Sequence, residues 1–436
     1  NVKILQAVNN NQLDQPTSLL STELTSAQKT GSEYHNQQSS YVNSLSNILK
    51  IDRTKAADAA HIVNLYMIML YPDGTSPTPG VTAETIRAAT ADLANYYNSV
   101  SFGLIEIKTV QVYGWYKVPA LSSNCSVDYA NWSNEAKKLA ALDGFSTVGS
   151  PHSVIGYYLP KLNCGWGGIA DIGNGVSGTR ELWLNGNLGD PLGHEFGHAA
   201  WGHGHASTLN CYNGSQKIAV AKFSSCSTAE YGDIYSSYMG YTTNTHKYDM
   251  NVWQKARSKV FDTSKILSVS TPGQYRIDTI EKVSSRNQAI KILWEKSGSG
   301  VLDRYIWLGK RSSIGQNWWP YEFATSDYNG VVVHSGFSVE NPLNTYLIDS
   351  HPETASLVDS ALKVGESLTI PGGDRDITLK TLSVDATDDS ALVDIRFGEQ
   401  NCSYFPPTVT LGTPSVKIAP NVATDFTINI KNNDLG

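Results

Sequence analysis

Hydrophobic residues recur at two periods along the chain, and the change between them divides it. His61 to Tyr71 is a nearly unbroken apolar run of buried-strand length, ended by Pro72-Asp73-Gly74. Ile86, Ala89, Leu93, Tyr97 and Val100 then fall at helical spacing, which predicts a helix over Ala83 to Val100 closed by Gly103. Leu104 to Val112, Ser153 to Leu159 and Arg180 to Leu184 read as strands. Asn131 is placed to cap a helix over Trp132 to Leu142, which Gly144 ends. Strands alternating with helices predict an α/β layer over residues 59–262, with a sheet backing the helices.

After residue 262 the period shortens to that of strands. Gln274 to Asp278, Gln288 to Trp294, Arg304 to Leu308, Gly330 to His334, Asp376 to Val384 and Ser390 to Arg396 are short β-branched or aromatic runs between Gly, Pro and Asp. They predict an all-β domain over residues 263–398, in which His334 and His351 read as structural. Trp318-Trp319-Pro320-Tyr321 reads as aromatic core, with an exposed carbohydrate or collagen platform as the alternative. Residues 399–436 read as a linker and the opening strands of a truncated immunoglobulin-like module. At the other end, residues 1–58 are rich in Asn, Gln, Ser and Thr, with a sparse stripe of Leu24, Tyr41, Leu45 and Leu49. They read as a pro-segment or an N-terminal wrap. The chain is therefore expected to be multidomain, as 436 residues already suggest.

Composition narrows the partners. A net charge of −7 without any basic run argues against nucleic acid, and no apolar stretch reaches membrane-spanning length. Five cysteines are present and none forms a CxxC, which argues against a structural zinc knuckle. The short separation of Cys211 and Cys226 suits a disulfide closing a surface loop. Cys125 then pairs with Cys164, and Cys402 is left over. Disulfides, together with a start at Asn1 that lacks a signal-peptide core, point to a processed, secreted protein, expected to be a monomer.

The densest chemistry lies at Gly193 to Ser207, GHEFGHAAWGHGHAS, where four of the ten histidines surround one glutamate. His194 and His198 are four apart, so a helix directs both imidazoles from one face toward one metal ion. Glu195 sits beside that face, placed to take a proton from water that the metal activates. Asp190 as N-cap, Pro191 in the first turn and Gly202 at the stop frame the helix. A catalytic zinc takes three protein ligands and keeps one position open. His203 and His205 are the candidates for the third.

This run resembles the metzincin metalloproteases, whose pattern is HExxHxxGxxH. Strict counting puts the third histidine at Gly204, one residue short. Gly202 and His205 keep the glycine-to-histidine spacing, so one extra residue in the last helical turn, Ala199 to Trp201, restores the match with His205 as ligand. His203 remains the alternative. The tract Glu230 to Tyr241, EYGDIYSSYMGY, is similar to the methionine turn of that superfamily, with Met239 beneath the metal. Together with GGIA and HExxH it looks most like the gametolysin-type (M11-like) peptidases. Tyr241, two residues after the methionine, matches the tyrosine that astacin and serralysin branches use to bind zinc and steady the oxyanion. The resemblance covers residues 59–262 and implies an α/β catalytic domain whose edge strand, near Arg180 to Leu184, pairs with an extended peptide substrate.

These readings predict a secreted zinc endopeptidase acting on protein or peptide substrates, with His194, His198 and His205 as ligands and Glu195 as general base. Structural Ca²⁺ has no loop pattern to support it. Two alternatives stand beside this reading. One is a gluzincin-type peptidase with Glu230 as third ligand. The other is a non-catalytic adhesin carrying a degenerate metalloprotease domain.

Overall fold

The computed structural model describes residues 6–7, 61–122, 125–173, 177–241, 249–260, 263–297, 302–312, 329–339, 344–398, 408–411 and 428–431. It is a mixed α/β structure of several sheets and few helices. The expectations for Cys402, the Trp318 to Tyr321 aromatics and nearly all of residues 1–58 lie outside the described residues. So does most of residues 399–436, for which an immunoglobulin-like module was expected; one antiparallel pair is described there.

A six-stranded sheet forms the first layer. Its strands are β1 (Gln6–Ala7), β2 (His61–Pro72), β3 (Ile105–Val118), β4 (His152–Leu159), β5 (Gly168–Ala170) and β6 (Gly178–Asn185), in the order β1-β5-β6-β4-β2-β3. The four strands β3, β2, β4 and β6 run parallel, whereas β5 is antiparallel to β6 and β1 antiparallel to β5. The apolar run in β2 is continuous because both faces of the sheet are covered. Val63, Leu65 and Met67 point to one core with Ile86, Leu93 and Tyr97 of α1 (Ala83–Val100). Tyr66, Ile68 and Leu70 point to the other, against Trp132, Ala136 and Ala140 of α2 (Cys125–Leu142).

Helix α2 begins earlier than the sequence reading placed it, so Asn131 lies inside it rather than at its cap. Asp128 in its first turn accepts from the backbone N–H and the hydroxyl of Ser122, both at 2.8 Å, and Cys125 is tied to Cys164. The sheet order also corrects the edge expectation. Strand β6 lies inside the sheet, between β4 and β5. The edge beside it belongs to β5, and β1 lies on that edge.

The metal-motif helix α3 (Asp190–Phe196) follows, then β7 (Ala206–Asn213), β8 (Gln216–Ile218), β9 (Cys226–Ala229) and the short α4 (Val252–Arg257). Strands β10 (Ile266–Val269), β11 (Gly273–Asp278), β12 (Ala289–Glu295), β13 (Arg304–Lys310), β14 (Gly330–Phe337), β15 (Thr345–Ile348) and β16 (Leu362–Lys363) come next. Last are β17 (Ser367–Ile370), β18 (Ile377–Asp385), β19 (Ser390–Phe397) and the pair β20 (Thr408–Leu411) and β21 (Ile428–Lys431). Six of the strand readings after residue 262 coincide with strands to within two or three residues.

The second sheet crosses residue 262. Its order is β10-β12-β13-β14-β15-β7-β8, with β16 on β14 and β9 on β7, so strands from both sides of that position share one ladder. The joint is the parallel pairing of β7 with β15, Ala206 opposite Thr345 through Leu209 opposite Ile348. A four-stranded sheet, β11-β19-β18-β17, closes the far side over a core that includes Ile277, Ile306, Val331, Leu379 and Val393. Both expected disulfides are present, and Cys211–Cys226 links directly paired positions of β7 and β9. Among the described residues no helix is long and apolar enough to cross a membrane.

Candidate metal centre

Helix α3 starts at an N-cap Gly189, which puts Asp190 and Pro191 in the first turn rather than at the cap. Pro191 costs nothing there, since the first N–H groups have no helical partner. From Gly197 to Trp201 the helix widens into a π turn, and Gly202 ends it at φ 67°, in the left-handed region that glycine adopts freely. A π turn holds one more residue than the α turn it replaces. Beyond it the chain leaves the helix with His205 directed back to His194 and His198.

One ring nitrogen from each of His194, His198 and His205 lies within 4.8 Å of the others, and all three rings are buried. Each ring has its second nitrogen engaged. Nδ1 of His194 donates to the Tyr238 carbonyl at 2.6 Å, and Nδ1 of His198 donates to the His203 carbonyl at 2.6 Å. Nδ1 of His205 meets a Glu230 carboxylate oxygen at 2.5 Å. A carbonyl oxygen can only accept, so the first two Nδ1 atoms carry the protons, and their Nε2 atoms present lone pairs. Those two Nε2 atoms face each other at 3.0 Å. Two lone pairs so placed repel unless a cation lies between them. Ligand nitrogens on one tetrahedral zinc sit about 3.4 Å apart, given a metal–nitrogen distance near 2.1 Å. The 3.0 Å separation lies within a few tenths of an ångström of that value, and the donor set fits a metal ion.

Burial sets the charge state. Desolvation lowers the His194 pKa to about 3, with His205 adding to the effect, and it pushes His198 well below the ordinary imidazole value. Both rings are therefore neutral near pH 7, which is the form that ligates.

Glu195 is fully buried, and neither carboxylate oxygen has a hydrogen-bond partner among the described residues. Burial raises its pKa well above the ordinary carboxyl range. A cation nearby would oppose that rise. Gly168 on β5 packs against this side chain: a Cβ there would stand 2.6 Å from Glu195 Cγ and 2.7 Å from Oε1. Only glycine leaves the carboxylate its place.

His203, the alternative third ligand, points elsewhere. Its Nε2 lies 2.7 Å from Ser258 Oγ, and its contribution to the centre is the backbone carbonyl that holds His198. Met239 is buried beneath α3, where a Cβ on Gly197 would come within 2.6 Å of its sulfur. Trp201, also buried, packs against Tyr97 and Phe196 under the helix. Tyr241 packs against a separate small cluster of Ile234, Tyr235, Val332, Leu347 and Ala361.

The tyrosine that meets the triad is Tyr231, which the sequence reading quoted in EYGD without singling it out. Its hydroxyl is 3.3 Å from Nε2 of His205, and its ring packs on His205 and His194. Glu230 and Tyr231 thus address the two nitrogens of one imidazole from adjacent positions. Tyr231 takes φ 60° and Tyr238, whose carbonyl holds His194, takes φ 58°. Left-handed backbone in a bulky residue costs of order 1–3 kcal/mol, and both instances lie in the loop that orients the ligands. No protein-family model matches this chain, and no curated protein matches it.

Proposed function

We propose that the protein is a secreted, zinc-dependent endopeptidase of metzincin type. The observation that carries the reading is the pairing of three convergent imidazole nitrogens with an unpartnered carboxylate one residue from the first ligand. A purely structural metal site closes with a fourth protein ligand and has no use for a general base. The metal's part, when bound, is Lewis acidity, which acidifies water and polarises a carbonyl.

The rest falls to this chain's residues. Glu195, with both oxygens unengaged, takes the proton from the attacking water and passes it to the leaving amine nitrogen. The Tyr231 hydroxyl, 3.3 Å from Nε2 of His205, donates a hydrogen bond to the carbonyl oxygen as charge develops there. This is the role first read for Tyr241. Polypeptide is the substrate class because the β5 edge beside Glu195 pairs with extended chain, as the protein's own β1 does there, Gln6 opposite Ala170 and Ala7 opposite Ile169. Glu230 engages the outer nitrogen of His205, which favours an orienting role over the gluzincin reading.

Cleavage of casein by wild type and by Glu195→Gln, with zinc measured in both, tests the proposal. Both proteins should hold zinc, and the variant should be slower by about 10²- to 10⁴-fold. Equal rates would reject the mechanism, and zinc without turnover in wild type would favour the binding-protein alternative.

A further inference from the structure

The three outer nitrogens of the triad are all held by one stretch of chain, His203 to Tyr238, and that stretch is itself tied to the C-terminal half. The knot is Asp233, which is fully buried and lies between Glu230 and Tyr238 in sequence. Its carboxylate accepts from the Tyr235 backbone N–H at 2.9 Å, from the Asn251 side-chain amide at 3.1 Å and from Nε2 of His334 at 3.0 Å. Its own N–H donates to the Ala206 carbonyl, next to His205, and its carbonyl accepts from the Tyr241 N–H at 3.0 Å. His334 belongs to β14, about a hundred residues away, and is buried on the same sheet as β15. Asn251 also donates to Thr345 at the start of β15, whose own N–H donates to the His205 carbonyl.

We propose that Asp233 and His334 form a positioning pair, through which the C-terminal half fixes the loop carrying Glu230, Tyr231 and the Tyr238 carbonyl. Neither residue touches the metal position. Their effect passes through the hydrogen bonds that aim His205 and His194. The inference rests on the metal-centre reading and does not depend on peptidase activity.

The test is Co²⁺ titration of the full chain, following the visible absorption that reports ligand geometry. Gln and Asn at position 334 share one chemistry and differ in reach. The amide of Gln extends to where Nε2 of His334 donates, and that of Asn stops short. His334→Gln should bind Co²⁺ within about threefold of wild type with an unchanged spectrum, and His334→Asn should lose about 10- to 100-fold with an altered one, the range seen when outer-shell partners of a metal site are removed. If His334→Asn does not fold, Asp233→Asn replaces it, because it sets N–H groups against those of His334 and Asn251 and should show the same loss. Wild-type affinity and spectrum in the Asn variants, or equal losses with Gln and Asn, would overturn the pair's role. A wild-type chain that binds no Co²⁺ would overturn it together with the metal centre. Co²⁺ binding without proteolysis would reject only the peptidase reading.

Discussion

Nδ1 of His205 lies 2.5 Å from a carboxylate oxygen of Glu230, so the third histidine is aimed by a residue twenty-five positions further along. The hydrogen bond from His205 holds the Glu230 carboxyl below its ordinary pKa. The carboxylate fixes the ring's tautomer and makes Nε2 the more basic. Glu230→Ala should therefore weaken zinc binding about 10- to 100-fold while the fold persists. Competition with a chelator of known affinity measures it, and an unchanged affinity would remove Glu230 from the centre.

The two tyrosines separate cleanly. Loss of one donor to a developing oxyanion typically costs about 10²- to 10³-fold in kcat. Tyr231→Phe should show a loss of that order with KM little changed. Tyr241→Phe, in its own apolar cluster, should turn over at nearly the wild-type rate. Steady-state kinetics on one peptide substrate decides, and the reverse result would return the role to Tyr241.

Gly168→Ala tests the seat of Glu195, the proposed general base. The added methyl would stand 2.6 Å from Glu195 Cγ, so the carboxylate must move. Turnover should fall about tenfold or more, since small displacements of a catalytic group are costly, while zinc content stays at the wild-type level. Rates equal to wild type would mean that the carboxylate has room the structure does not display.

Acid should loosen the metal-free protein in a defined window. The folded-state pKa values of His194 and His203 are depressed to about 3, and that of His198 lies well below the ordinary 6.5, chiefly by burial. Between pH 6.5 and 3 the unfolded chain binds more protons, so this contribution is complete above 6.5 and is lost as pH falls toward 3. Glu195 works in the opposite sense: its raised pKa favours the folded state at low pH, and that contribution fades as pH rises above 4.5. Urea unfolding of metal-free Glu195→Gln from pH 7 to 4 removes the opposing carboxyl. It should show a steeper decline than wild type, and a flat profile would contradict the burial of the rings.

The N-terminal strand predicts a gain of function. Because β1 occupies the β5 edge next to Gly168, it should compete there with the proposed polypeptide substrate from a tethered position of high local concentration. A chain beginning at residue 59 should cleave casein about tenfold faster than the full chain. Equal rates would show that β1 does not obstruct the edge.

Much of the centre was legible because it is local. A four-residue helical spacing sets His194 and His198 on one face whatever surrounds them, and Pro191 and Gly202 mark the ends of that helix by backbone conformation alone. An extra residue in the last helical turn, Ala199 to Trp201, could be counted in the sequence, and the widened turn at Gly197–Trp201 lies over that same stretch. The unbroken run from His61 similarly announced a strand covered on both faces. What holds the ligands was not legible. Glu230 could be read as a ligand, and Tyr231 carried no spacing signal, because each meets His205 only after β7 and β9 pair and the backbone turns left-handed at Tyr231.

The sequence by itself determined the periodic strands and helices, the Cys211–Cys226 pair and the helix that presents two histidines and a glutamate, since each follows from spacing or backbone preference over short distances, and Cys125–Cys164 was the pair then left. Only the tertiary structure decided that β5 rather than β6 neighbours the edge, that residue 262 lies between strands of one sheet, and that His334 reaches Asp233 across a hundred residues. Those contacts depend on sheet order, and sheet order is set by long-range packing that leaves no period in the chain.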